Sequence, residues 1–353
     1  MGQNVTLQQI ADAANVSSAT VSRSLNKTGK VSVEVERRIR IAMARLGAVP
    51  RSDETARTLC FLLANRPMLH PFHAQALMGA QALASEHQGH ILFLPFRYSP
   101  STPPEDVWLP PLLNRRGLID GYIVGGMNTE NLLELLARTG VPFAVLGNNV
   151  LGTWDDTNYD VVWMDDIAGS YEATRYLQSL GHRDIGFIGV RTLPKDRLFD
   201  GYQRATTEAG LQTFSQESDA STERDAGYLA AKSLFSESPE VSAILCVNDA
   251  VALGVYEAAA ASHKSIPGDL SVIGFGNRPE AATMTPALTT VWGYPDLVGR
   301  RLAEMVLHRI ANPDSPPQKA VTLTRLIERC SCARLTPFAC EPIQTKPLQL
   351  AGA

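Results

Sequence analysis

Apolar positions near the start of the chain recur with a helical period. Leu7, Ile10, Ala11 and Ala14 share one face, Thr6 precedes them as a cap, and Gln9 completes a capping box three residues on. Asn15-Val16-Ser17 breaks the pattern, and Ser17 then caps a second helix over 18–25. Val21 and Leu25 of that helix face inward, while Ser18, Ala19, Ser22 and Arg23 face outward. A third helix starts after Ser32, carries Val35, Ile39, Ala42 and Leu46 on one face, and stops at Gly47 with Pro50 beyond. Three short helices separated by such breaks predict a helix-turn-helix unit over residues 1–50.

From Thr58 the period changes. Short apolar or β-branched runs alternate with helical stretches: 59–63 then 72–87, 91–94, 119–124 then 130–138, and 143–146. A second series runs 161–163 then 167–180, 185–188 then 197–209, 226–235, 243–247 then 250–260, and 272–275. This alternation predicts parallel strands joined by crossover helices, hence an α/β body of two doubly wound lobes. A late strand–helix pair, 289–292 and 297–310, and a last strand within 321–326 return to one lobe and cross back. The expected partition is lobe 1 over 58–158 plus 287–318 and lobe 2 over 159–286 plus 319–336. A linker over 51–57 precedes the body, and a disordered tail over 337–353 follows it, lacking any heptad repeat.

Charge divides the chain in the same place. The first 51 residues hold eight Lys and Arg against three Asp and Glu, a net of +5, although the whole 353-residue chain carries −4. A basic head on an acidic body points to a polyanion that meets the head alone. The second helix suits a major groove, because small and hydroxylated residues surround one long Arg23. Arginine pairs bidentately with guanine O6 and N7, while Thr6, Ser17, Thr20, Ser22 and Asn26 are placed to donate to phosphates.

With 44% hydrophobic and 19% charged residues, the chain is expected to fold nearly throughout. The apolar run 59–64 falls far short of the roughly 18 residues a membrane helix needs. The N-terminus lacks a basic segment followed by an apolar one, so a cytoplasmic protein without a membrane partner is expected. Cysteines at 60, 246, 330, 332 and 340 form no paired framework and read as free thiols. His70 and His73 lie too close together for helical i,i+4 metal ligation and read as part of a loop lining a cleft. His182, at a helix stop, reads as structural. No phosphate-binding glycine loop, nucleophile elbow or zinc-protease motif occurs, so neither catalysis nor a cofactor or metal is expected. A solute-binding protein without a DNA role and a carbohydrate-metabolising enzyme stay open as alternatives. The first leaves residues 1–50 without a use, and the second has no visible catalytic constellation.

The run from Val5 to Ser17, followed by Ala19-Thr20-Val21-Ser22-Arg23-Ser24-Leu25-Asn26, resembles the head of the lactose-repressor/galactose-repressor family of bacterial transcription factors. The resemblance extends over about 58–329. His70-Pro71-Phe72-His73, Asp165-Asp166-Ile167-Ala168-Gly169 and Arg197-Leu198-Phe199-Asp200-Gly201-Tyr202 are similar to family segments. So are Val247-Asn248-Asp249, the run from Ser271 to Asn277, and Leu288-Thr289-Thr290-Val291.

The resemblance implies base contact by Ser18, Ala19 and Arg23, phosphate contact by the hydroxyl residues, and a homodimer on palindromic double-stranded operator DNA. It also implies a body resembling periplasmic sugar-binding proteins, with a small carbohydrate effector clamped between the lobes by His70, Phe72, His73, Arg197, Asn248, Asn277 and Trp292. Arg197 and Asn248 offer fixed hydrogen-bond geometry to hydroxyls, and Phe72 and Trp292 offer faces for a sugar ring.

Two departures stand out. Gly276 occupies the place of a ligand-binding Asp, with Asn277 as the expected substitute. The linker has about half the family's usual length, and Leu59, which would end a hinge helix, falls inside the first strand. No minor-groove wedge is therefore expected.

Overall fold

A computed structural model of the chain describes residues 5–25, 28–46, 57–66, 71–114, 117–191 and 196–335. Asn26, His70, linker residues 51–56 and the tail 337–353 lie outside the described residues.

The head contains α1 (Leu7–Ala14), α2 (Ser18–Leu25) and α3 (Val33–Leu46). The capping box forms: Gln9 N–H donates to Thr6 Oγ1 at 3.3 Å and Thr6 N–H to Gln9 Oε1 at 2.8 Å. Asn15 closes α1 in the left-handed region (φ 52°), a conformation asparagine tolerates better than most residues. Ser17 Oγ then accepts from Thr20 N–H at 3.1 Å and opens α2. Ile10, Ala11, Ala14, Val21, Ile39, Ala42 and Met43 form the head's core. Leu7 and Leu46, assigned to inward faces by periodicity, are exposed, because each lies at a helix end beyond the reach of the other helices.

The body begins with β1 (Thr58–Ala64), α4 (Pro71–Glu86), β2 (His90–Phe96), β3 (Gly121–Gly126), α5 (Glu130–Arg138), β4 (Phe143–Leu146) and β5 (Asp160–Met164). It continues through α6 (Asp166–Ser179), β6 (Ile185–Val190), α7 (Asp196–Glu208), β7 (Phe214–Ser218), α8 (Glu223–Glu237), β8 (Ala243–Cys246), α9 (Asp249–Ala261) and β9 (Ser271–Phe275). The last elements are β10 (Thr289–Trp292), α10 (Pro295–Ala311), β11 (Lys319–Thr322) and β12 (Arg325–Ile327). Two six-stranded sheets result, ordered β11-β5-β4-β3-β1-β2 and β12-β10-β9-β8-β6-β7. Their pairings are parallel except β10 with β12. Leu59 is fully buried within β1.

The two doubly wound lobes are as expected, but the expected partition of strands differs from the structure at three: β5, β10 and β11. β5 belongs to the first sheet, not the second lobe, and β10 belongs to the second sheet although α10 packs on the first. The run within 321–326 is two strands in different sheets, β11 pairing with β5 and β12 with β10. The cause is non-local. Asp160, at the start of β5, accepts from Arg309 Nη2 at 2.7 Å and from Gln318 N–H at 2.7 Å. That anchor draws the end of α10 and the chain entering β11 onto the first lobe, which no local apolar pattern reveals. The chain therefore crosses between lobes three times: after β5, after β10, and between β11 and β12.

Helices α4 and α10 approach closely through two glycines. A methyl group on Gly299 would overlap the Ala76 carbonyl, and one on Gly79 would overlap the Asp296 carbonyl. Alanine in a helix is intrinsically better than glycine by about 1 kcal/mol, yet here it forces two backbones apart. Gly299→Ala is expected to destabilise the protein by about 1–3 kcal/mol, the usual cost of overpacking. Urea denaturation checks it, and an unchanged or raised midpoint would show that the helices can separate freely.

Candidate functional site: the exposed helix and the interlobe cleft

On α2, Ser18, Ala19 and Arg23 are all exposed. Arg23 Nε donates to the Ala19 carbonyl at 3.2 Å, which lays the side chain back along the helix. Thr6, Ser17 and Thr20 each serve a helix start: Thr6 Oγ1 and Ser17 Oγ accept backbone N–H groups, and Thr20 Oγ1 lies 2.8 Å from Ser17 Oγ. Hydroxyls at helix N-termini, where unpaired N–H groups concentrate, suit phosphate contact. Ser22 is half-buried, not fully outward as the helical wheel suggests.

In the body, the carboxyl ends of the strands face a cavity of about 140 Å³ between the lobes, the usual ligand crevice of open parallel sheets. Lobe 1 supplies Arg66 after β1, Phe72 and Gln75 on α4, and Asn148 and Asn149 after β4. Lobe 2 supplies Asp166 at the start of α6, Glu223 at the start of α8, Asn248 after β8, and Gly276 and Arg278 after β9.

Of the seven expected effector residues, Phe72 and Asn248 line this cavity. Asn248 already carries two bonds: its Oδ1 caps α9 by accepting from Val251 N–H at 2.9 Å, and its Nδ2 donates to Glu223 Oε2 at 3.1 Å. Arg197 does not line the cavity. Its Nε donates to Asp166 Oδ1 at 2.7 Å, and its guanidinium lies 4.7 Å from the centre of the Trp163 ring. The cavity thus meets Asp166, with Arg197 as its counter-ion. Burial raises the Asp166 carboxyl above its usual range, and Arg197 and Asn148 oppose that rise by favouring the charged form.

His73 is buried in α4. Its Nε2 accepts from Gly126 N–H at 3.0 Å and lies 3.1 Å from Asn149 Nδ2, so it fixes a residue of the cavity wall. Trp292 stacks on Tyr294 with ring centres 4.1 Å apart, and Asn277 Oδ1 accepts from Arg329 Nη2 at 2.6 Å; neither lines the cavity.

Sequence reasoning missed Arg66, Gln75, Asn148, Asn149, Asp166, Glu223 and Arg278 as cleft residues. Asp166 was within reach, since it sits in a segment already noted for its resemblance. The others carry no motif and are assembled by strand ends distant in sequence. His182 does prove structural: its ring nitrogens lie 2.9 Å from Ser242 Oγ and 2.9 Å from Ser271 Oγ in a buried site. Cys60 and Cys246 are buried free thiols, and burial pushes Cys60 up to about 12.

A helix-turn-helix head joined to a two-lobed body with a cleft at its strand ends is the architecture of a protein that can couple nucleic-acid contact to small-molecule binding. Residues 6–51 match "Bacterial regulatory proteins, lacI family", and residues 174–332 match "Periplasmic binding protein-like domain". The chain is 30% identical over 330 residues to the HTH-type transcriptional repressor PurR of Glaesserella parasuis serovar 5 (strain SH0165), covering 90% of this chain and 93% of that protein. It is also 30% identical to PurR of Escherichia coli O1:K1 / APEC, covering 93% and 97%. Among solved structures, the transcriptional regulator CelR–cellobiose complex aligns with a TM-score of 0.68 at 26% identity, over 93% of this chain and 100% of that one. The lac repressor dimer bound to operator and the anti-inducer ONPF shares the fold, with a TM-score of 0.74 at 21% identity, over 93% and 99%. The chain belongs to the lacI family of bacterial regulatory proteins.

The backbone at Gly276 has φ +119°, outside the range L side chains adopt readily, so an aspartate cannot simply be restored there. Gly276→Ala and Gly276→Asp should each destabilise the protein by about 1–3 kcal/mol through backbone strain. The aspartate should cost more, because its Cβ would sit 3.8 Å from Asp249 Oδ2 and add a second carboxylate beside a buried one. Thermal unfolding of the two variants checks the order, and a wild-type melting temperature for either removes the strain argument.

Proposed function

We propose that the protein is a ligand-responsive transcriptional repressor that binds palindromic operator DNA as a homodimer. In this reading Ser18, Ala19 and Arg23 contact base edges, while Thr6, Ser17, Thr20, Ser22 and Asn26 contact phosphates. A small carbohydrate or carbohydrate derivative binds in the cleft, against Phe72 and Asn248, with Arg197 acting through Asp166. The observation that carries the reading is the union, in one chain, of an exposed Ser18-Ala19-Arg23 face with a cleft lined from both lobes. The cellobiose held by CelR supports a carbohydrate effector.

A change in lobe closure would alter the spacing of two heads in a dimer. A coupling of only about 1–3 kcal/mol between effector and operator is enough for control. The linker reading extends the proposal: Leu59 is held inside β1 and is not available to a minor groove. Inserted apolar side chains are what unstack and kink a base step.

Gel shifts on genomic fragments, with random DNA at equal salt as competitor, test the DNA role. Arg23→Ala should lose about 1–3 kcal/mol of operator discrimination per half-site, whereas Thr20→Ala should weaken specific and random binding alike. An unchanged specificity ratio in Arg23→Ala would refute the placement of α2 in the groove. Circular-permutation gel shifts test the linker: little central bending is expected, and a strong kink abolished by Leu59→Ala would refute it.

A further inference from the structure

The charges around the cleft are unevenly matched. Asp166 is paired with Arg197 at 2.7 Å. Asp249 is 3% exposed, and its carboxylate accepts from Thr290 Oγ1 at 2.5 Å and from the Arg278 backbone N–H at 2.6 Å. Arg329 is held by the Leu288 carbonyl and Asn277 Oδ1. Glu223 lies 3.8 Å from Arg66 Nη1, a loose contact that joins the lobes. Two guanidiniums are left under-satisfied. Arg66 Nε is buried without a hydrogen-bond partner among the described residues. The Arg278 side chain, half-buried, makes no hydrogen bond or ion pair among them, and its charge is offset in part at longer range by the buried Asp249 carboxylate.

Both arginines line the same cavity, Arg66 from lobe 1 and Arg278 from lobe 2. Burial lowers the Arg66 guanidinium's proton affinity, Glu223 opposes that, and the Arg278 charge adds to it, so the two cations feel each other. Leaving buried donors unpaired and like charges adjacent is costly. Gly276, on the cavity wall at the strand end of β9, brings no charge. A neutral sugar would leave this imbalance in place, whereas one anionic oxygen group between the two guanidiniums would resolve it through charge-assisted hydrogen bonds.

We propose that the effector is an acidic small molecule, a hydroxylated compound bearing a carboxylate or phosphate, whose anionic group is held between Arg66 and Arg278 and draws the two lobes together. This rests on the ligand-responsive reading above and specifies its ligand. Gln75 remains on the wall for hydroxyls.

Titration calorimetry and thermal shift on the full chain test it with matched pairs: glucose against gluconate and glucose 6-phosphate, and ribose against ribose 5-phosphate. Inorganic phosphate serves as the bare anion. At least one acid or phosphate ester should bind while its neutral partner does not, and the arm that responds separates carboxylate from phosphate. Arg278→Met should weaken that ligand roughly 10- to 150-fold, the range of a hydrogen bond to a charged group. Arg278→Lys should recover part of the loss. Glu223→Gln, which frees Arg66 from its competing carboxylate, should bind the anion more tightly.

Neutral sugars binding as well as their acidic partners would overturn the proposal. So would no response to any anionic probe, wild-type affinity in Arg278→Met, or weaker binding in Glu223→Gln. Failure of the regulatory reading looks different: the anion binds through both arginines, but gel shifts with and without it give the same operator affinity.

Discussion

Three short stretches of chain hold the two sheets together, and the cleft is organised around them. They are not independent strings. Asp165 N–H donates to the Thr322 carbonyl at 2.9 Å, and Thr324 Oγ1 donates to the Asp165 carbonyl at 3.0 Å, so the first and third crossings are hydrogen-bonded to each other. The second packs against the first, since a methyl group on Gly293 would overlap the Met164 sulfur. Crossings bonded to one another in this way constrain one another's position, so none of the three connections shifts alone.

That constraint fixes which residues a ligand meets. Parallel strands all end on the same edge of their sheet, so residues following β1, β4, β8 and β9 converge on one cavity regardless of their separation in sequence. Burying so many polar groups there requires partners. Asn148 supplies one such pairing within lobe 1, donating through Nδ2 to the Met164 carbonyl at 2.8 Å and accepting at Oδ1 from Met164 N–H at 2.7 Å. Arg197 and Asp166 supply another within lobe 2. Between the lobes, Asn148 favours the charged form of Asp166, and the ion pairing thins to the loose contact of Arg66 with Glu223.

The head follows different physics. Its small core is a handful of apolar side chains, and each helix starts at a capping hydroxyl that also suits a phosphate. The capping role is compatible with the phosphate contact proposed for these residues, because a capping hydroxyl at an exposed helix start stays within reach of solvent.

Local features were legible from the sequence: the capped helices of the head, the exposed Arg23 face, the alternation of strands and helices, the basic head and acidic body, and the family itself. These depend on residues within one or two turns of each other, or on short motifs. Tertiary structure decided which sheet each late strand joins, because β11 is placed by Asp160, Arg309 and Gln318, groups brought together from across the chain. It also paired Arg197 with Asp166, engaged Asn277 with Arg329, and left Arg66 and Arg278 facing a shared cavity. Apolar periodicity states which side of an element is buried and is silent on what it is buried against. A charged side chain's role depends on which partner reaches it first, and in this protein those partners arrive from other strand ends.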